Sequence, residues 1–228
     1  MKKTLPLLSL LWLMALSCKK SNDTPAGTAF FRVVHGVPNA ASLEVRVNGT
    51  LVGTLGSYGL SLPYQSFTEG NLSVEVRVSG TTTVLSNPTI SATANNYYTF
   101  VVADSLNKLK SSLYTEDAAP VAGKAKINVL HLGTISGSAD FATGGTGSIS
   151  LSTNRSFNDQ STSAARAAYT TVDPLSTTIE ARVPGAGTPP LVITSITQNL
   201  VAGKTYTLVY RNPVGTSTLP SFTLNTNN

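Results

Sequence analysis

The sequence predicts an all-β protein built from two tandem β-sandwich domains, and three observations carry that expectation. Blocks of sequence recur in the same order. AFFRVVHG (29–36) matches AKINVLHL (125–132), LSVEVRVSG (72–80) matches TTIEARVPG (177–185), and TISATANNYYTFVVAD (89–104) matches SITQNLVAGKTYTLVYRN (195–212). Tyr64 precedes Glu75 by 11 residues, Tyr169 precedes Glu180 by 11, and the closing segments KSSLYTED (110–117) and LPSFTLNT (219–226) also correspond. A repeat of this length sets the organisation of a chain before any local reading. Second, apolar and polar residues alternate with period two, as in half-buried strands. Third, Gly and Pro recur at short intervals, and no stretch carries helical periodicity over a useful length.

The elements follow in order. In 43–48, Leu43, Val45 and Val47 alternate with Glu44, Arg46 and Asn48; Asn48-Gly49 then reads as a type I′ hairpin turn. In 72–78, Leu72, Val74, Val76 and Val78 alternate with Ser73, Glu75 and Arg77, and Ile179, Ala181 and Val183 repeat the pattern around Glu180 and Arg182. About seven short strands in each repeat indicate immunoglobulin-like antiparallel sandwiches. Tyr98 and Tyr206 stand at equivalent strand entrances and read as structural tyrosine corners. The domains are 28–118 and 124–228, joined by a linker at 119–123. The second is longer because of a Gly-rich excursion at 142–148. EDAAPVAG (116–123), with Pro120, is expected to hold the two as an extended pair.

The N-terminus reads as an address. Lys2 and Lys3 precede an apolar run from Leu5 to Leu16, broken only by Pro6 and Ser9 and closed by Lys19-Lys20. That is a secretory signal over 1–17, short of the roughly 20 apolar residues that span a bilayer. Ala15-Leu16-Ser17-Cys18 resembles a bacterial lipobox, which implies that Cys18 is lipidated and begins the mature chain. Each buried acyl CH₂ contributes about 0.8 kcal/mol, so two or more chains anchor firmly. Residues 18–27 then form a polar, flexible tether. SCKKSND resembles the start of many Bacteroidota lipoproteins, and this implies an outer-membrane lipoprotein of the cell envelope. Asp23 is the single acidic residue where such residues direct export to the surface.

Composition removes several functions. Charged residues are 12% of the chain, against about 25% in ordinary soluble domains. Loss of Lys2 and Lys3 with the signal takes the net charge from +5 to +3, and no basic cluster remains except Lys19-Lys20, so nucleic acid is not expected as a partner. Cys18 is the only cysteine, which leaves no disulfide, thiolate metal site or thiol nucleophile once it is acylated.

FRVVHGVPNAASLEVRVNG, followed by LSVEVRV and YYTFVVAD, resembles the family catalogued as domain of unknown function number 4397. The first repeat follows its pattern across about 28–118. The second matches INVLH but has Leu132-Gly133-Thr134-Ile135 where the family has a proline turn, and it lacks a clean Asn-Gly. The resemblance implies a secreted or lipid-anchored bacterial protein, and it carries no catalytic residues to transfer.

Candidate chemistry is sparse. His35 and His131, the only histidines, hold equivalent positions and share strand parity with core residues, so each is expected to bond turn backbone. A zinc site needs three or four ligands, and neither repeat groups them. Glu75 with Arg77, and Glu180 with Arg182, recur on the outward face of one strand, where cross-strand ion pairs contribute about 0.2–1 kcal/mol; a solvated face is the default expectation and a partner face the alternative. Glu116-Asp117 are placed in the linker. Scattered acids give no glycosidase pair, no Gly-x-Ser-x-Gly elbow is present, and 144–147 is not followed by Lys and a helix. Trp12, the sole tryptophan, lies in the signal. Asp104-Ser105-Leu106 resembles a Bacteroidota O-glycosylation acceptor at Ser105, in an exposed connection. The expected function is a non-catalytic binding, adhesion or envelope-organising role without cofactor. The membrane is engaged through the lipid, and a protein or glycan through inter-strand loops such as 142–148. The alternatives are a glycan-binding accessory lipoprotein of a polysaccharide uptake system and an envelope enzyme dependent on His35 or His131.

Overall fold

The structure, a computed structural model, describes residues 26–162, 166, 168–212 and 218–227. The signal, Cys18 and most of the tether lie outside the described residues. All regular structure among those described is β, apart from one 3₁₀ turn at Asp159–Ser161. The first sandwich comprises β1 (Thr28–Gly36), β2 (Leu43–Val47), β3 (Thr50–Leu55), β4 (Gln65–Thr68), β5 (Gly70–Val78), β6 (Val84–Ser86), β7 (Thr89–Ala92), β8 (Tyr97–Ala103) and β9 (Lys110–Glu116). The second comprises β10 (Ala125–His131), β11 (Ala139–Thr143), β12 (Ser150–Arg155), β13 (Thr170–Val172), β14 (Ser176–Arg182), β15 (Val192–Asn199), β16 (Thr205–Arg211) and β17 (Ser221–Thr226).

Each sandwich stacks two sheets. In the first, β4-β1-β8-β9 faces β3-β2-β5-β6, with β7 also paired to β5; in the second, β13-β10-β16-β17 faces β12-β11-β14-β15. Pairing is antiparallel except at the middle of one sheet in each, where β1 lies parallel to β8 and β10 parallel to β16. A parallel pair needs a long crossover, and the intervening strands supply it by building the opposite sheet. Phe31, Val33, Leu43, Val45, Val74, Val76 and Phe100 fill the first core. Ile127, Val129, Phe141, Ile179, Leu208 and Tyr210 fill the second. The Asn48-Gly49 turn has positive φ at both residues, 51° and 79°, as a type I′ turn requires. In the second sandwich the Gly-rich excursion occupies the same place, between β11 and β12.

The two sandwiches are not an extended pair. β1 from Phe31 onward and the whole of β10 are buried on both faces. Val34, Val101 and Ala103 of the first sandwich meet Leu130, Leu132 and Val209 of the second in a third apolar cluster, with Tyr58, Tyr114 and Phe157 at its margins. The sheets containing β1 and β10 therefore pack against each other, and the molecule is four sheets deep. Inner strands such as FFRVVHG and INVLHL carry apolar residues on both faces because both faces are covered. The linker folds back accordingly. Lys126 Nζ donates to the carbonyls of Asp117 at 2.6 Å and Ala119 at 3.1 Å, and Ala118 is buried.

The closing strands also differ from the sequence comparison. Tyr98 faces Thr115 and Tyr206 faces Thr226, so β17 corresponds to β9 two residues later than the matched segments imply. Glu116 is the last residue of β9 rather than part of the linker, and its structural counterpart is Asn227.

Candidate functional site

The inner sheets bring together a polar cluster that the local sequence reading missed. Arg32 on β1 and Glu116 on β9 are fully buried and ion-paired at 2.9 Å. Arg32 also donates Nε to Thr99 Oγ1 at 2.8 Å and Nη1 to the side-chain oxygen of Asn227, from the other sandwich. Glu116 accepts from Asn128 Nδ2 at 2.8 Å, from Tyr169 Oη at 3.0 Å and from the Tyr64 hydroxyl. Asn227 Nδ2 donates to Tyr169 Oη at 3.0 Å and Thr207 Oγ1 at 3.2 Å.

Strand register shows the arrangement to be pseudo-symmetric. Arg32 pairs with Thr99 across β1 and β8, as Asn128 pairs with Thr207 across β10 and β16. Tyr64 and Tyr169, spaced alike in the repeats, converge on one carboxylate. Arg32 thus bonds both Glu116 and its counterpart Asn227, while Glu116 bonds both Arg32 and its counterpart Asn128. One sandwich supplies the charges and the other supplies neutral amides, so the centre holds one ion pair and no surplus charge.

The electrostatics follow. Burial is the largest influence on the Arg32 charge and opposes it, but the Glu116 carboxylate together with Tyr64, Tyr169 and Tyr114 outweighs it and raises the guanidinium pKa above its ordinary value. Burial raises the hydroxyls of Tyr64, Tyr114 and Tyr169, with Arg32 pulling the other way. Tyr64 and Tyr169 are neutral donors aimed at a fixed carboxylate, which suits rigidity rather than proton transfer.

The singled-out residues are dispersed. His35 is fully buried and its Nδ1 accepts the Val37 backbone N–H at 3.2 Å; burial pushes it down to about 4. His131 is fully buried and its Nε2 is 3.0 Å from the Gly137 carbonyl; burial lowers its pKa. Both imidazoles are held neutral against their own sandwich's backbone. Tyr98 Oη accepts the Thr93 backbone N–H at 3.0 Å, and Tyr206 Oη accepts that of Val201 at 3.0 Å. Ser105 lies in the β8–β9 turn, where it is half-buried rather than fully exposed and donates its hydroxyl to Asn107 Oδ1 at 2.6 Å. Among the described residues, no three His, Cys, Asp or Glu side chains form a metal-binding group.

The outward ion pairs run along strands, not across them. Arg77 bonds Glu75 on β5, Arg46 bonds Glu44 on β2, and Arg182 bonds Glu180 on β14. Across the strands, Glu44 faces Arg77 and Arg46 faces Glu75, so opposite charges alternate in both directions. On the second sandwich Asp140 faces Arg182. Arg182 has a further task, since its Nη2 donates to the Thr143 carbonyl at 3.0 Å and Ser148 Oγ at 3.1 Å, fastening the Gly-rich loop. Gly144 lets that loop pass Glu180, because a Cβ there would lie 2.7 Å from Glu180 Oε1. Beside the loop is an open groove of about 440 Å³ lined by Thr143, Thr146, Asp173, Ser176, Thr178 and Glu180.

The geometry defines a paired β-sandwich protein locked by one buried polar cluster, with a loop-side groove on the second sandwich. The family model for Domain of unknown function (DUF4397) matches residues 29–142, and the chain belongs to that family. The matched region covers the first sandwich and continues through β10 and β11. No curated protein matches the chain.

Proposed function

We propose that this chain is a lipid-anchored protein of the bacterial cell envelope with a non-catalytic binding, adhesion or envelope-organising role. In this reading Cys18 carries the lipid and holds the protein to an outer membrane of Bacteroidota type. Residues 28–118 and 124–228 are then two immunoglobulin-like copies of the family domain, the second divergent. The observation that supports it best is the commitment of the buried charges to each other. Arg32 and Glu116 lock the sandwiches together, while the outermost sheets turn separate ion-paired faces outward. A rigid two-faced body on a tether suits presentation or bridging. The hydroxyl- and carboxylate-lined groove beside 142–148 supports a second reading, capture of a glycan for polysaccharide uptake.

Protease treatment of intact cells, comparing the unmodified chain with Cys18→Ser, tests the proposal. The unmodified chain is expected in the membrane fraction and Cys18→Ser in the soluble one. Digestion from outside places the chain at the surface and makes adhesion and glycan capture the roles to test; protection until the envelope is opened places it in the periplasm and makes another envelope protein the partner to seek. Retention of Cys18→Ser on the membrane would end the lipid-anchor reading.

A further inference from the structure

A sheet edge presents unpaired backbone N–H and C=O groups, and proteins blunt such edges with short strands, charges, prolines, bulges or covering segments. Nearly every edge here carries such a device. β4 and β13 are 4 and 3 residues long. β3 has a register shift along its pairing with β2, and Gln65 Nε2 caps its Val52 carbonyl at 2.9 Å. β12 has two register shifts, and Thr170 and Arg166 cap its Leu151, Thr153 and Asn154 carbonyls. β9 carries Lys110, and its Ser112 bonds Asn158 of the second sandwich. β17 is covered from the first sandwich, where Ser61 N–H donates to Asn225 Oδ1 and Tyr64 N–H to the Asn227 carbonyl.

β15 is the least protected. Its one register shift lies at its start, beside Ile193, and over 194–199 it runs without bulge, charge, Pro or Gly. Val192, Ile193, Thr194, Ile196 and Thr197 are β-branched and favour extended backbone. Among the described residues nothing pairs its outer edge. The first sandwich shows what is missing. Val76 faces Ser86 and Leu72 faces Ile90, whereas Ala181 faces Thr194 and Thr177 faces Gln198. Pro88 therefore interrupts the first edge, between β6 and β7, at the position that Ile196 holds in β15.

We propose that β15 docks on β15 of a second copy of this chain, antiparallel about a two-fold axis, so that two outer sheets merge into one. Two features select a second copy as occupant. A two-fold places a strand against itself, and a charge-free strand meets no like charge there. The exposed apolar residues are also distributed for antiparallel self-pairing. Leu191 and Val192 are 62% and 42% exposed at one end and Val201 is 49% exposed beyond the other, so each end of one copy meets the opposite end of its partner.

Ser195, exposed and central in β15, provides the test. It faces Glu180 on β14, which tolerates a lysine. Light scattering on the mature chain, residues 18–228 carrying Cys18→Ser, is expected to give twice the mass of that chain. Ser195→Lys and Ser195→Glu are each expected to fall to the single-chain mass with unchanged circular dichroism, and their mixture to regain the doubled mass. A misfolded edge would not regain it. The proposal is overturned by a parent that stays at single-chain mass, by a Ser195→Lys variant that stays doubled, or by a mixture that does not reassociate. A single-chain parent that instead takes up an unrelated extended peptide at this edge also overturns the second-copy occupant.

Discussion

At the scale of single residues, Arg32 and Glu116 decide how the two sandwiches meet. Their attraction offsets the cost of removing both charges from water only because Thr99, Asn128, Asn227, Tyr64 and Tyr169 satisfy the remaining donors and acceptors. Removing one partner leaves the other buried and uncompensated. Glu116→Gln and Arg32→Met are each expected to cost about 3–5 kcal/mol in urea denaturation. The double variant is expected to cost less than their sum by about 0.5–3 kcal/mol. Additive costs would mean that the two act independently. Neither role was legible locally. Arg32 sits in an apolar run and Glu116 beside an exposed Asp117, and only tertiary contact distinguishes a buried arginine from a solvated one.

At the scale of elements, the alternation in β2, β5 and β14 reported half-buried strands, and these form the outer sheets. Period two is visible there because one face remains in water. In β1, β8, β10 and β16 both faces are buried, so the pattern loses its polar half, and with it the local sign of which face meets which sheet. Turns behaved similarly. Asn48-Gly49 needs positive φ for local reasons and is readable as such. Gly59 needs it for a distant one. Its φ is +93°, and a Cβ would lie 2.7 Å from Arg211 Cδ and 2.9 Å from Thr223 Oγ1, both in the other sandwich. Gly59→Ala is expected to cost about 2–4 kcal/mol, combining backbone strain with overpacking. Gly49→Ala, whose Cβ meets nothing, is expected to cost about 1–2 kcal/mol. Equal costs in urea melts would show that the loop yields at the interface.

At the scale of the molecule, the apolar cluster and the polar cluster occupy one continuous contact between sandwiches. Tyr58 extends it by donating to the Leu132 carbonyl at 2.7 Å, and Asn225 Nδ2 extends it by donating to the Gly59 carbonyl at 2.9 Å. Separation would expose Val34, Val101 and Ala103 together with an ion pair that has lost its amide partners. The full chain is therefore expected to unfold in one calorimetric transition, with van't Hoff and calorimetric enthalpies equal. A fragment ending at Ala118 is expected to aggregate or melt well below it. Two resolved transitions, one matching the fragment, would mean that the sandwiches are energetically independent.

The sequence by itself determined the β class, the repeat, the outer strands, the I′ turn and the placement of His35 and His131 on core-facing parity. Each depends on interactions among near neighbours or on a pattern that leaves one face polar. Tertiary structure alone decided the parallel pairing inside two sheets, the stacking of the sandwiches and the convergence of Arg32, Glu116, Asn128 and Asn227. Those depend on contacts between residues far apart in the chain, and no local period encodes which of two apolar faces meets which.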